Sequence, residues 1–391
     1  MYEMNKIPPE SKYRYKIHNR LYDLTDFVKI HPGGIDIFNN LKSDTNITPM
    51  IYAYHKNPKN ILLQLPKYEV PLTNDITIQY DTSYTYDQYC ELKKLVYDEI
   101  HEKKIPLHWS NQEIIYNIFM MSLYLGIWIY CFCNANDLSY WWMVFLGIFS
   151  MGFGGLIFHE ACHFAPFKNQ KLNRSLSKIY PFANVDNWSY NHNYLHHSFT
   201  DTDYDCDLLI DKSYYVRYTN TKLQYNHKFQ FIYMFLIFSV GGIISEVKFY
   251  FSLANSNKVV VFSMLYYLGL CKTFLFFVVL GFHFSFIANL SHIHHECIQI
   301  NTEKKNDFLY NQVSSSMNYR TYDPITRLIC FGLDVQIEHH LFPNIPHSSL
   351  RKIQHIVSNY CEKNDVPYIE KSSIFKSIYS YICYLYKMGN P

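Results

Sequence analysis

Apolar and polar positions divide the chain into two regimes. Over residues 12–70 short apolar runs alternate with turn residues, and none is long enough to cross a bilayer, which predicts a small soluble head of mixed α and β structure. Residues 71–110 are polar, carry Pro71, Pro106 and many charges, and predict a linker with helix around Tyr86–Lys103. Beyond them the pattern changes to long apolar stretches. Ile114–Cys133 and Tyr140–Phe158 contain no charged side chain and approach the about 20 residues that a spanning helix needs. The short link NANDLS between them suits a helical hairpin. Phe229–Ile244, which is short, and Val259–Phe286, which is long and interrupted by Lys272, supply a third and a fourth crossing. The expected fold is a mainly α membrane protein with four transmembrane helices and an N-terminal α+β head. The division is 1–70 head, 71–110 linker and 111–391 membrane domain.

Composition agrees with a protein that is part soluble and part membrane-embedded. Hydrophobic residues make up 49% of the 391, yet mean hydropathy is only −0.15, so strongly apolar stretches are diluted by equally polar ones. A net charge of +2 without any long basic run argues against a nucleic-acid partner. Ten scattered cysteines show neither a disulfide framework nor zinc spacing and are expected to be reduced. Met1–Arg20 holds no apolar segment of the kind found in a cleavable signal, which places the N-terminus in the cytosol. The loop between the second and third crossings carries eight Lys and Arg residues, among them Lys168, Lys171 and Arg174, whereas the link after the first has none. By the positive-inside rule that loop is cytosolic, and four crossings bring head, loop and C-terminal region to the same face.

Histidine carries the chemistry. His31 opens HPGG and His55 lies within YAYHKNP; two such residues on separate loops can clamp a haem iron from both sides, leaving it no open position, so that it passes electrons instead of binding oxygen. Gly33 and Gly34 allow a tight turn where a side chain would intrude. With Leu21, Tyr22, Asp23, Leu24 and Thr25 ahead of HPGG, residues 12–68 resemble the cytochrome b5 family, which implies haem b and a cytochrome b5 reductase-like electron donor. Lys42, Lys56 and Lys59 dilute the acidic face that family members present to such a reductase.

Three further clusters lie in the second half. His159 and His163 form HEACH at i and i+4, which places both rings on one helical face. His192, His196 and His197 form HNYLHH, read as another i, i+4 pair plus its neighbour, and Gln336, His339 and His340 form QIEHH. Neutral imidazole suits iron, copper or zinc, but seven histidines, joined by His292 in NLSH, exceed what a four-coordinate zinc can use and match two irons. A haem donor beside them points the same way, because oxygen activation needs electrons and zinc hydrolysis does not.

The boxes, and above all QIEHHLFPNIPH from Gln336 to His347, resemble those of membrane fatty acid desaturases, in particular the cytochrome b5-fused front-end and sphingolipid group, where Gln replaces the first histidine of the third box. The resemblance implies that His159, His163, His192, His196, His197, His339 and His340 hold two irons, that Gln336 is a ligand or its neighbour, and that His292 occupies an additional ligand position, with His294 and His295 as competitors. It further implies dioxygen as co-substrate, a lipid acyl substrate, an endoplasmic reticulum location with haem and irons facing the cytosol, and double-bond formation of the delta-5 or delta-6 type. Asp205 and Asp207 in DYDCD stand where the family places acidic residues and would orient imidazole N–H groups. Glu160 replaces the commoner Asp, and the second box has three residues between its first two histidines.

Competing readings are a sphingolipid long-chain-base delta-8 desaturase, a lipid hydroxylase, a non-enzymatic haem carrier and, more remotely, a zinc metalloprotease. The last would use HEACH as HExxH, with Glu160 as general base and Asp334 as an added ligand. It leaves the other boxes and the haem head without a purpose. His283 and Lys272 inside the fourth apolar stretch are expected to face a cavity such as a substrate path, since ionisable groups are costly in hydrocarbon.

Overall fold

The computed structural model describes residues 12–73, 76–205, 216–217, 222–239, 255–296 and 302–391. The head opens with a hairpin, β1 (Arg14–Ile17) against β2 (Arg20–Asp23), in which Tyr15 faces Tyr22. β3 (Thr45–Asn46) joins β1 in parallel and β4 (Glu69–Val70) joins β2 antiparallel, giving the sheet order β3-β1-β2-β4. Helix α1 (Thr48–Tyr54) has Pro49 in its first turn, where the missing N–H costs nothing, and it ends at His55, whose backbone is extended. Tyr15, Ile17, Leu24, Phe38, Ile47 and Ile51 form the head's core. That core does not close on itself. Tyr194, Leu195 and Phe199, from the second histidine box and just beyond, belong to the same cluster, and the Tyr194 hydroxyl donates to the Asn46 carbonyl at 3.1 Å.

The helix expected within the linker is α2 (Asp87–Glu102), and it is not a free connector. Tyr89, Leu92 and Val96 are wholly buried in a cluster with Leu350, Ile353 and Val357. Its buried Lys93 donates to the Tyr52 and Ala53 carbonyls at the end of α1, fastening the head to the body. These are the orphan acceptors of a helix C-terminus, which a cation satisfies well.

Three helices among the described residues are long and apolar enough to cross a membrane: α3 (Asn111–Cys133), α4 (Trp141–Cys162) and the stretch Lys258–His292 of a longer helix. The expected crossing at 229–244 is helical over residues 230–239, and the remainder of it lies outside the described residues. α3 starts with a capping box between Ser110 and Glu113 and is exposed along most of its apolar surface, as a lipid-facing helix should be. α4 is more buried and changes winding within its length, since Ser150–Gly155 is π-helical. This stretch contains Gly152, Gly154 and Gly155. At Gly152 a β-carbon would lie 2.5 Å from the Leu328 carbonyl oxygen, so the backbone of a later segment is seated directly on the helix. After α4 comes the short helix α5 (Gln170–Ser177).

The long helix α6 (Asn255–His292) packs on α4, where Gly147 lets Val279 and the Phe276 carbonyl approach. It is broken at Gly269 (φ 76°, ψ 170°), not at Lys272. The part after the break, about 23 residues or roughly 34 Å, matches one hydrocarbon thickness. Lys272 donates to the Ala135 carbonyl at 2.5 Å, in the NANDLS turn, and its ammonium lies over Tyr140. It therefore sits about 30 Å along the helix from His292, close to one hydrocarbon thickness away. His283 Nε2 pairs with the Ile329 carbonyl at 2.6 Å. Each expected cavity-lining group thus ties helices together.

Later described helices include α7 (Phe308–Ser314), α8 (Gln336–Leu341), α9 (His347–Lys363) and α10 (Ile374–Gly389), and the short helix Pro324–Ile329 carries the Leu328 and Ile329 carbonyls that meet Gly152 and His283. Between them a parallel pair, β5 (Asn318–Tyr319) and β6 (Glu370–Lys371), anchors the segment leading into α10. Gly152→Ala is expected to lower stability by about 1–3 kcal/mol, the usual cost of overpacking against an immobile group. Gly126→Ala, where nothing lies within 4 Å, should be neutral or slightly stabilising. Thermal unfolding in detergent measures both.

Candidate metal centre

The three boxes approach from three directions. HEACH ends α4, HNYLHH occupies the π-helical segment Ser189–His196 and its continuation, and QIEHH forms α8. Their histidines, with His292 at the end of α6, fall into two adjacent groups: His159, His163, His192, His197 and His339 in one; His196, His292 and His340 in the other. Within each group one nitrogen from every ring lies within 4.8 Å of the others, and all eight residues are buried.

Helix winding decides the grouping. In HEACH an ordinary α-turn brings His159 and His163 together, with ring centroids 4.7 Å apart. In HNYLHH the expected i, i+4 partnership of His192 and His196 is replaced by i, i+5. The π-turn carries His197 back to His192, Nε2 to Nε2 at 3.2 Å, and turns His196 toward the other group. Each HH doublet is divided: His196 and His340 serve one group, His197 and His339 the other, with His197 and His340 stacked at 4.4 Å across the boundary.

Outer partners fix the tautomers. His196 Nδ1 donates to Asp205 at 3.0 Å, His292 Nδ1 to the Ser315 carbonyl at 2.8 Å, and His340 Nδ1 to Gln312 Oε1 at 2.9 Å. Carboxylate and carbonyl oxygens only accept, so Nδ1 holds the proton and, in the neutral ring, Nε2 carries the lone pair that a metal would take; at His292 that lone pair accepts from Gln336 Nε2 at 2.9 Å. Gln312 is itself oriented by donating from Nε2 to the His197 carbonyl at 3.1 Å. In the larger group His163 Nδ1 pairs with the Tyr54 hydroxyl at 2.8 Å, and the His159 and His192 Nε2 atoms converge at 3.1 Å. Trp188 stacks on His192 at 4.0 Å and closes that side.

Burial, reinforced by neighbouring imidazoles, holds His163, His192, His197, His339 and His340 well below the usual imidazole range; for His192, Asp205 works in the opposite direction. The rings are therefore neutral at physiological pH, the form that binds metal. The Nε2 atoms of His163, His339 and His340 are buried with no hydrogen-bond partner. Orphaned buried polar atoms are rare and costly, and three of them converging on two pockets of imidazole nitrogen fit a pair of metal ions.

Gln336 lies beside the smaller group, its Nε2 donating to His292 Nε2 at 2.9 Å while its Oε1 is buried without a partner. His294 and His295 turn elsewhere, toward Glu296 and Lys387 respectively. Asp207 lies outside the described residues. Glu160 is committed to other partners: Oε1 accepts from the His347 backbone N–H and Nδ1 at 2.8 and 2.9 Å, and Oε2 from Trp109 Nε1 at 2.5 Å. With both oxygens committed, it is not placed as the general base of a HExxH protease. Asp334 is likewise held, by Arg351 at 3.1 Å and Thr321 at 2.7 Å. The sequence reading did not single out Tyr54, Gln312, or His347, which stacks on His339 at 4.9 Å. His347 closes the stretch QIEHHLFPNIPH, whereas Gln312 and Tyr54 carry no sequence signal.

In the head, His31 and His55 face one another with centroids 6.1 Å apart, in a cavity of about 800 Å³ lined by apolar residues such as Leu24, Phe27, Met50 and Ile51. His55 Nδ1 donates to the Ile51 carbonyl at 3.1 Å, leaving Nε2 free to ligate, while His31 Nδ1 accepts from the Gly33 N–H at 3.1 Å. Burial lowers both, His31 to about 4 with a contribution from His55. Gly34 has φ 83°, and a β-carbon on Gly33 would strike Ile37 and the His31 ring. The cavity is also walled by the body, through Phe164, Asn193 and Asn344.

A family model described as fatty acid desaturase matches residues 135–372, a stretch that includes all three boxes, and the chain belongs to that family. It is 23% identical to an acyl-lipid (8-3)-desaturase of Physcomitrium patens over 95% of this chain and 87% of that protein. It is 24% identical to the Mortierella alpina acyl-lipid (8-3)-desaturase, over 95% and 93%, and 25% identical to the Borago officinalis acyl-lipid (9-3)-desaturase, over 90% and 85%. No solved structure matches. The chain is accordingly an oxidoreductase of lipid acyl chains, and its two histidine groups are consistent with the iron use of that family. Asp205→Asn is expected to lower metal affinity about ten- to hundred-fold, the usual effect of losing an outer partner. Iron retained against a competing chelator checks it.

Proposed function

We propose that the protein is an oxygen-dependent front-end acyl-lipid desaturase of the delta-5 or delta-6 type, with a di-iron centre held by its histidine boxes and a haem b donor held by His31 and His55. The observation that carries this reading is the pairing of two adjacent, buried imidazole groups with the haem-sized cavity of the head. Acyl-lipid desaturases aligned over nine-tenths of the chain or more favour a fatty acyl substrate over a sphingolipid base.

When bound, the irons would supply oxygen activation, converting one CH2–CH2 unit, O2, two electrons and two protons to CH=CH and two waters. The protein's own residues prepare that chemistry. His196, His292 and His340 present lone pairs because Asp205, Ser315 and Gln312 hold their other nitrogens. Trp188 covers His192, and burial of the whole site excludes water from the reacting region. The acyl chain reaches the site between the spanning helices. α4 ends at the boxes, α3 starts beside them and α6 arrives there at His292, so head and metal centre share one membrane face. The Lys- and Arg-rich loop makes that face cytosolic, in the endoplasmic reticulum membrane, where a flavin reductase reduces the haem. Residues 229–244 make the fourth crossing.

Expression in a host lacking polyunsaturated lipids, with gas chromatography and mass spectrometry of derivatised fatty acids, tests the reading. A new double bond between an existing one and the carboxyl end is expected; hydroxylated products, or no change beside verified iron loading, would sink it. His197→Ala should lower non-haem iron and abolish product without altering the haem spectrum. His31→Ala should remove haem absorbance and product while the protein stays in the membrane.

A further inference from the structure

Tyr54 both lines the cavity of the head and hydrogen-bonds a member of the larger histidine group. Its neighbour in sequence, His55, lines the cavity as well. The Tyr54 hydroxyl pairs with His163 Nδ1 at 2.8 Å, and the two rings lie nearly parallel, 18° apart with centroids at 6.2 Å. His163 Nε2, on the far side of that imidazole, is among the nitrogens that converge in the five-histidine group.

The position of Tyr54 is over-determined. Asn344, from the loop after the third box, donates to the Tyr54 carbonyl at 3.1 Å, and Lys93 of α2 holds the two preceding carbonyls. Two elements of the body therefore clamp the last turn of α1 so that its final residue meets a box histidine. Desolvation raises the Tyr54 hydroxyl well above its ordinary value, so it stays a neutral phenol. A clamp of this kind is more than a docking surface needs, since the hydrophobic contacts of Tyr194, Leu195 and Phe199 already seat the head.

We propose that Tyr54 is the coupling and positioning residue between the two cofactor sites: it orients His163 through Nδ1, and its ring, hydrogen-bonded to that histidine, is the one across which electrons pass from the haem pocket to the metal pair. This rests on the functional reading above. In each transfer one electron would pass from a ferrous haem held by His31 and His55, leaving it ferric, to the metals held by the histidine groups, which would be reduced by one electron. Two transfers serve one turnover, with reducing equivalents from a flavin reductase. No bond to Tyr54 forms or breaks, and its proton stays in place.

The experiment uses the full-length protein in detergent, loaded with haem and iron, as wild type, Tyr54→Phe and Tyr54→Leu. Haem absorbance and non-haem iron per chain are measured first. The haem is then reduced without oxygen, and its reoxidation on mixing with oxygen and acyl-lipid is followed in a stopped-flow instrument. Both variants are expected to keep the haem spectrum. Tyr54→Phe, which removes only the hydroxyl, should release iron to a chelator about ten- to hundred-fold more readily, as loss of an outer ligand partner does. Once iron is restored, reoxidation should slow in the order wild type, Tyr54→Phe, Tyr54→Leu, at least tenfold overall. Wild-type reoxidation rates in both variants would overturn the inference while leaving the desaturase reading intact. A wild-type chain without haem or without non-haem iron would overturn that reading, and this inference with it. If Tyr54→Leu fails to fold, Tyr54→Phe still decides through iron release and reoxidation together.

Discussion

The constraint on which the architecture depends is the placing of eight imidazoles away from water with their nitrogens turned toward two shared points. An unpartnered buried nitrogen costs on the order of 1–3 kcal/mol, and a cation shared by several of them would offset those costs together. Around these points the fold supplies acceptor-only partners, the Asp205 carboxylate, the Ser315 carbonyl and the oriented amide of Gln312, which keep protons on the outer nitrogens. Glu160, His347 and Trp109 form a separate polar lock behind the first box, which ties the start of α3 and the start of α9 to the end of α4. The helices are placed so that these pairs can form.

The membrane segments provide the rigidity. Gly147 and Gly152 allow backbone and side chains of other helices to approach α4 closely, and the far ends are joined by Lys272 and the Ala135 carbonyl. A site fed by four separate elements needs such a frame, because a shift of one helix would separate one box from the others.

Much of this was legible in the sequence, and the exceptions have physical causes. The boxes, the apolar stretches after residue 110 and the HPGG turn stand out because histidine clusters, uninterrupted hydrophobicity and paired glycines each have few other uses. Helix α2 reads as part of a linker because charged residues are as numerous as its apolar ones and the segment around it is polar. Tyr89, Leu92 and Val96 suffice to bury one stripe once α9 is there to meet them. Gln312 and Tyr54 act through neutral hydrogen bonds, for which any amide or hydroxyl at the right distance would serve, so nothing in the sequence marks them. The apolar pattern of the last crossing shows its length but not its break, which depends on the left-handed backbone of Gly269. The pairing within HNYLHH was misjudged because periodicity assumes α-winding.

That winding bears on how histidine boxes of different length can be equivalent. The members that must meet are the first and last histidines of the box, here five positions apart and joined by a wider turn. A box one residue shorter, with two residues before its doublet, would bring its outer histidines together with an ordinary α-turn. Insertion or loss of one residue at this place thus need not alter the ligand set, provided the local hydrogen-bond register shifts with it. The helix acts as an adjustable spacer, absorbing a change in length that would otherwise rotate half of the site out of reach.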